Sequence, residues 1–134
     1  MARKTALVTI DAEGRDQGKT FLLREMSASQ AEDWAVRVIL AAARGGVEIP
    51  DDIAQAGLAG VAAMGLKMLG GMRFEDAKPL LDEMFSCIQI VPDPAKPQVV
   101  RYLIEDDVEE VVTRLKLRKE VFALHTDFFT DAAS

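Results

Sequence analysis

The residues that build most catalytic and metal sites are scarce in this chain of 134 residues, which has one cysteine, Cys87, and one histidine, His125. A single cysteine cannot form an internal disulfide or a cysteine-rich metal cage, and it fits a reducing compartment. Neither a nucleophile elbow nor an orienting acid accompanies the two residues in the sequence. We therefore expect no catalytic residue, no cofactor and no metal, and a small enzyme using Cys87 and His125 is one alternative.

Positive charge is also in short supply, because 16 Lys and Arg residues are outnumbered by 22 Asp and Glu residues, for a formal net charge of −6. Nucleic-acid binders gain affinity by neutralising phosphates, and anionic membrane surfaces attract basic segments, so we expect neither as a partner. The basic start MARKT is followed only by ALVTI before Asp11, which is too short for the apolar region of a signal peptide. The expected location is the cytoplasm.

Long uncharged apolar runs are missing as well, although Ile53–Met72 (IAQAGLAGVAAMGLKMLGGM) comes close. Lys67 limits the uncharged part to Ile53–Leu66, below the roughly 20 residues that a membrane span needs. A helix that is apolar nearly all round is otherwise buried on several sides. The stretch predicts a central apolar helix inside the protein, with a membrane protein such as a holin as the alternative.

The rest of the pattern predicts one mainly α, α+β domain over residues 1–134, in which about four helices surround the central apolar helix. Its expected parts are a β-hairpin (1–26), a helical core (27–86), a strand-like excursion (87–104) and a C-terminal helix (105–130). Short, β-branched runs at Thr5–Ile10 and Thr20–Leu23, on either side of the polar, glycine-containing DAEGRDQGK, indicate the hairpin. Two apolar runs around PDPAKP indicate either a second short hairpin or an extended excursion.

Two helices of the core have recognisable starts. Ser27 and Gln30 match a capping box, in which each side chain bonds the other's backbone N–H. Gly45 and Gly46 are expected to end that helix. Its predicted buried stripe consists of Trp34, Ala35, Val38 and Ala42, with Ala31 and Ile39 beside it. Pro79 is expected in the first turn of a short helix that carries Leu80, Leu81, Met84 and Phe85, because proline disrupts a helix interior.

The C-terminal helix is predicted to begin with a cap from Glu105, Asp106 and Asp107 and to contain a Glu110–Arg114 pair. Two apolar stripes lie on roughly opposite faces at 100° per residue. One comprises Val108, Val111, Val112, Leu115, Phe122 and Phe129. The other comprises Leu117, Val121, Leu124 and Phe128, which either pack on one of the hairpins or form the partner-binding surface.

Most of the chain resembles the tail assembly chaperones of long-tailed, lambda-like phages and prophages. The resemblance lies in FLLREMSASQAEDWAVRVILAAARGGVEIPD (Phe21–Asp51), FEDAKPLLDEMFSCIQ (Phe74–Gln89) and LIEDDVEEVVTRLKLRKEVFALHTDFF (Leu103–Phe129). Its order is a strand ending in LRE, a capped helix rich in small residues, an apolar middle and a charged C-terminal helix. These motifs are architectural and carry no catalytic signature.

The resemblance implies a non-enzymatic factor in the host bacterial cytoplasm that is absent from the mature virion. Such chaperones bind the tape measure protein and help to recruit tail tube subunits, so both are expected partners. The sequence would correspond to the family's short form, without the domain that a translational frameshift adds. Self-association into a homo-oligomer through the second apolar stripe of the C-terminal helix is also possible for this sequence. The alternative within phages is a structural head–tail or tail completion protein.

Overall fold

The computed structural model describes residues 3–52, 59, 61 and 66–133, and the protein is α+β with about half of its residues in helices. The chain divides into two compact units. The first unit contains Met1–Glu25 and Met84–Leu124, and the second contains Met26–Glu83 and His125–Ser134. Strands therefore belong to the first unit, and the second is built from helical segments.

The first unit contains an antiparallel sheet of four strands in the order β1-β2-β3-β4. The strands are β1 (Thr5–Thr9), β2 (Thr20–Arg24), β3 (Ile88–Val91) and β4 (Arg101–Tyr102). The predicted β1–β2 hairpin is confirmed, and of the two alternatives for the second region the structure has the hairpin, with a very short outer strand. The turn between β1 and β2 uses positive φ angles at Gly14 (147°) and Gly18 (85°), which glycine adopts without strain.

Side chains alternate between the two faces along each strand, and directly paired residues on neighbouring strands point to the same face. One of these faces is buried. Phe21 of β2 lies opposite Ile90 of β3, and Leu23 lies opposite Ile88. All four side chains are buried. Burying large apolar side chains such as these contributes roughly 1.5–3 kcal/mol each, so this face holds the first unit together.

In the second unit, α1 (Ala28–Arg44) begins and ends where the sequence predicts. The Ser27 hydroxyl accepts a hydrogen bond from the backbone N–H of Gln30 at 3.3 Å, and Gly46 has a φ of 95° beyond the last turn. The reciprocal half of the capping box is not formed, because the Gln30 amide donates to Glu83 at 3.2 Å instead. The predicted buried stripe is confirmed for Ala31, Trp34, Ala35, Val38, Ile39 and Ala42.

The helix α2 (Phe74–Met84) places Pro79 in its interior, so the prediction that it begins near Pro79 is wrong. Glu75 and Asp76 provide the acidic first turn that favours an earlier start. Arg44 of α1 pairs with the Asp76 carboxylate at 3.1 Å, and the buried Trp34 indole N–H donates to the Leu80 carbonyl at 3.0 Å. These contacts on both sides of the proline compensate for the lost backbone hydrogen bond. Phe85 follows the helix, in a short 3₁₀ turn (Phe85–Cys87).

The predicted central apolar helix lies largely outside the described residues. Within its range, Leu66–Gly71 form a 3₁₀ helix, and the side chains of Val61 and Met68 are buried. Of the helices in the described part of the chain, none has the length and apolar character needed to cross a membrane.

The C-terminal helix α3 (Val111–Ala133) begins later than predicted. Glu105–Asp107 form a separate 3₁₀ turn, and residues 108–110 lie between this turn and the helix. The three acidic residues therefore do not cap α3. The acceptor for the backbone N–H groups at the start of α3 comes from elsewhere in the first unit.

Candidate functional site

The start of α3 is held by Asp16, a residue of the β1–β2 loop. Its carboxylate is 1% exposed and accepts hydrogen bonds from the backbone N–H groups of Glu109, at 3.0 Å and 3.2 Å, and Glu110, at 2.9 Å. The Thr113 hydroxyl also bonds this carboxylate, and Lys19 forms an ion pair with it at 2.8 Å. Unpaired N–H groups at a helix start need acceptors and favour negative charge. Asp16 supplies both from a distant part of the sequence.

The charge of Asp16 is stabilised by these partners. Burial raises its pKa, but the hydrogen bonds from Lys19, Thr113, Glu109 and Glu110 outweigh that effect and hold the pKa well below its ordinary value. The hydrogen bond to Asp16 also raises the pKa of Lys19, against the opposing effect of burial. The pair therefore stays ionised at neutral pH and fixes the loop to the helix start.

Two arginines complete this polar network. Arg15 pairs with the Glu110 carboxylate at 3.0 Å, and the hydrogen bond lowers the pKa of Glu110. Arg101 of β4 donates two hydrogen bonds to the Asp107 carboxylate, at 2.7 Å and 2.8 Å. These hydrogen bonds are the main reason that the pKa of Asp107 is lowered. The predicted Glu110–Arg114 pair is thus wrong, because Glu110 bonds Arg15. The Arg114 guanidinium instead lies 4.2 Å from the centre of the Phe85 ring.

The network leaves an apolar surface exposed at the start of α3. We call Val111, Val112 and Leu115 the α3 stripe; their side chains are 73%, 62% and 58% exposed. Val111 and Leu115 are four residues apart, so they lie on the same face of the helix, and Val112 lies beside them. Lys116 and Lys119 are also exposed. At 100° per residue, Lys116 lies beside the stripe and Lys119 lies one turn further toward the C-terminus. The stripe is therefore an apolar strip with basic neighbours.

The partner-binding surface predicted from the sequence is on the other face. Leu117 and Val121 are 0% and 1% exposed, so their assignment to an exposed surface is wrong. Leu124 is half-buried, and the side chain of Phe128 lies outside the described residues. Of the two sequence alternatives, internal packing holds for Leu117 and Val121.

Thr113 lies on the same buried face of α3 as Leu117 and Val121. It is buried and bonded to Asp16, and it precedes Leu117 and Val121 at intervals of four residues. Thr113, Leu117 and Val121 therefore share one buried face of α3, and the α3 stripe lies on the opposite, exposed side. Periodicity alone missed this because Thr113 is polar and its partner lies 97 positions earlier in the sequence, the difference between 113 and 16.

Cys87 and His125 each have a structural environment within their own unit. Cys87 is buried in the first unit. The His125 imidazole accepts a hydrogen bond at Nε2 from the backbone N–H of Met26 at 2.8 Å, within the second unit. Among the residues that the structure describes, no group of three or more His, Cys, Asp and Glu side chains is arranged to hold a metal ion.

Comparison of the chain with protein-family models, with curated proteins and with solved structures finds no match.

Proposed function

We propose that this protein is a non-enzymatic tail assembly chaperone of a long-tailed phage or prophage, which binds the tape measure protein in the host cytoplasm and helps to recruit tail tube subunits. The resemblance in Phe21–Asp51, Phe74–Gln89 and Leu103–Phe129 suggests this family. The observation that carries the proposal physically is the α3 stripe, an exposed apolar surface on a charged, folded body. A protein that holds another chain needs such a surface.

The chemistry of the α3 stripe suits an amphipathic helix. An apolar helix face docks on a complementary apolar surface through side chains three, four and seven residues apart. The exposed Lys116 and Lys119 beside the stripe favour a partner with acidic residues flanking its apolar face. A long helical protein such as a tape measure protein can present this pattern repeatedly. The proposed occupant of the stripe is thus an apolar, acid-flanked segment of the tape measure protein.

Co-expression with the tape measure protein encoded in the same tail gene cluster tests this function. We expect the tape measure protein to remain in the soluble fraction and to copurify with this chain, because its apolar segments are covered. Expression of the tape measure protein without this chain is the control, and it should leave that protein largely insoluble. Equal solubility with and without this chain, and no copurification, would remove the proposal.

Mass spectrometry of purified phage particles separates the chaperone from a structural component. A chaperone should be absent from particles although it is abundant in the infected or induced cell. A head–tail connector or tail completion protein would instead be recovered in a fixed ratio to the tail tube protein. Recovery in such a ratio would contradict the chaperone and support the structural alternative.

A further inference from the structure

Among the residues that the structure describes, no strand pairs with the outer edge of β1. Strand β1 lies at one edge of the sheet and β4 at the other. The β4 edge has only two paired residues and follows the proline-containing PDPAKP, features that discourage pairing with another strand. The β1 edge has five residues, TALVT, with no charge, proline or glycine. A strand edge of this composition is a template for a further strand.

The hydrogen-bond pattern identifies the backbone groups that face outward. The Glu25 N–H bonds the Lys4 carbonyl at 3.0 Å, and the Ile10 N–H bonds the Lys19 carbonyl at 2.9 Å. Because such pairs alternate along an antiparallel ladder, Lys4, Ala6, Val8 and Ile10 bond toward β2. The N–H and C=O groups of Thr5, Leu7 and Thr9 then point away from β2. Within the described residues, β1 has no strand on that side.

We propose that two copies of this chain pair through β1, antiparallel, around a two-fold axis at Leu7. In this register Thr5 of one copy lies opposite Thr9 of the other, and Leu7 lies opposite Leu7. Thr5, Leu7 and Thr9 of one copy thus lie opposite the same three residues of the other. Their outward-pointing N–H and C=O groups can therefore all form hydrogen bonds across the pair. Shifting the register by two residues in either direction places one end of β1 opposite residues that lie outside the other copy's β1. The two-fold arrangement is self-complementary, as a closed dimer requires.

Two side-chain features favour a second copy over an unrelated strand. The same register places Arg3 of one copy opposite Asp11 of the other at both ends of the paired strands, and both residues are exposed. Opposite charges directly across a strand pair stabilise it. The side chain of Leu7 is 56% exposed in the single chain and would meet its counterpart at the axis. The inference concerns β1 and does not depend on the proposed chaperone function.

Charge exchange tests both the dimer and its register. Sedimentation of the wild-type protein up to about 500 μM should show a monomer–dimer equilibrium, since a single strand pair forms a small interface. Arg3→Asp and Asp11→Arg should each weaken self-association about tenfold, because like charges then meet at both ends. An equimolar mixture of the two variants should form heterodimers as strong as the wild-type dimer, since both end pairs become attractive. A wild-type monomer throughout this range, or a mixture no stronger than its components, would overturn the proposal.

Cysteine cross-linking provides an independent measurement of the axis. Hydrogen-bonded residues across an antiparallel pair have Cα atoms about 5.5 Å apart, a distance that a disulfide can bridge. Leu7→Cys should therefore form a disulfide-linked dimer under mild oxidation, and Thr5→Cys alone should not, because Thr5 is opposite Thr9. The native Cys87 is buried and present in both variants. Equal cross-linking of the two variants would contradict a two-fold axis at Leu7.

Discussion

Replacing Asp16 with alanine is expected to lower the free energy of unfolding by about 3 kcal/mol, because the change removes a buried charge with several partners. The substitution leaves the backbone N–H groups of Glu109 and Glu110 without their acceptor at the start of α3. It also removes the carboxylate that pairs with Lys19 at 2.8 Å. The loss should include fraying of the first turn of α3, where the stripe begins.

Urea unfolding followed by circular dichroism measures this loss, and Asp106→Ala is the matched control. Asp106 is the same residue type and lies near the start of α3, but its side chain is exposed. Exposed substitutions away from such networks usually change stability by less than about 0.5 kcal/mol. A similar, small effect of both substitutions would show that Asp16 does not hold α3.

The contribution of Asp16 should also depend on pH in a defined direction. Its folded-state pKa lies below the ordinary value of 3.8, so the ionised form is favoured by folding. The stabilisation is therefore complete above that value and is lost as the pH falls through the folded-state pKa. Asp107, whose pKa is also lowered, adds to the same trend. The wild type should lose stability from about pH 4 downward, and Asp16→Ala should show a shallower loss over the same range.

Leu117→Ala is expected to cost about 2–5 kcal/mol, whereas Leu115→Ala should cost less than about 0.5 kcal/mol. The two leucines lie on one helix within one turn of each other, but Leu117 is fully buried and Leu115 is exposed. The first substitution leaves a cavity, whereas the second removes methyl groups that are mostly exposed to solvent. Because both changes are leucine to alanine, helix propensity contributes equally.

The ratio of these two losses tests the orientation of α3. If the urea midpoints differ while the dependence of the unfolding free energy on urea concentration stays the same, the difference reflects the stability of the native state. It does not then reflect a change in the unfolded ensemble. A larger loss for Leu115→Ala would mean that the face of α3 carrying Leu115 is the buried one. The α3 stripe would then be unavailable for binding.

Local patterns were enough to predict the elements whose signals are short-range. The β1–β2 hairpin follows from two β-branched runs around a polar loop with Gly14 and Gly18, and the buried face of α1 follows from its period of about 3.6 residues. Pro79 misled the prediction of α2 because its cost is local, whereas the compensating contacts come from Trp34 and Arg44 on another helix. Tertiary contacts decide such cases.

The candidate site was only half predictable, since the sequence revealed two apolar stripes on α3 but not which one is covered. Hydrophobicity does not distinguish Leu115 from Leu117. The decision depends on Thr113 and on its bond to Asp16, a contact between distant residues that a helical wheel does not contain. A buried threonine also carries no apolar signal, so nothing in the local pattern marks it as inward-facing.

The affinity of a tape measure segment for wild-type protein and for a Val111→Ser, Leu115→Ser variant tests the α3 stripe most directly. The matched control is Val36→Ser with Leu40→Ser, a valine and a leucine with the same spacing, also exposed, on α1. Losing two apolar contacts at the centre of an interface should raise the dissociation constant of the first variant at least about tenfold. The control should bind like the wild type. Wild-type affinity in the stripe variant, with both proteins equally folded, would show that the partner is held elsewhere.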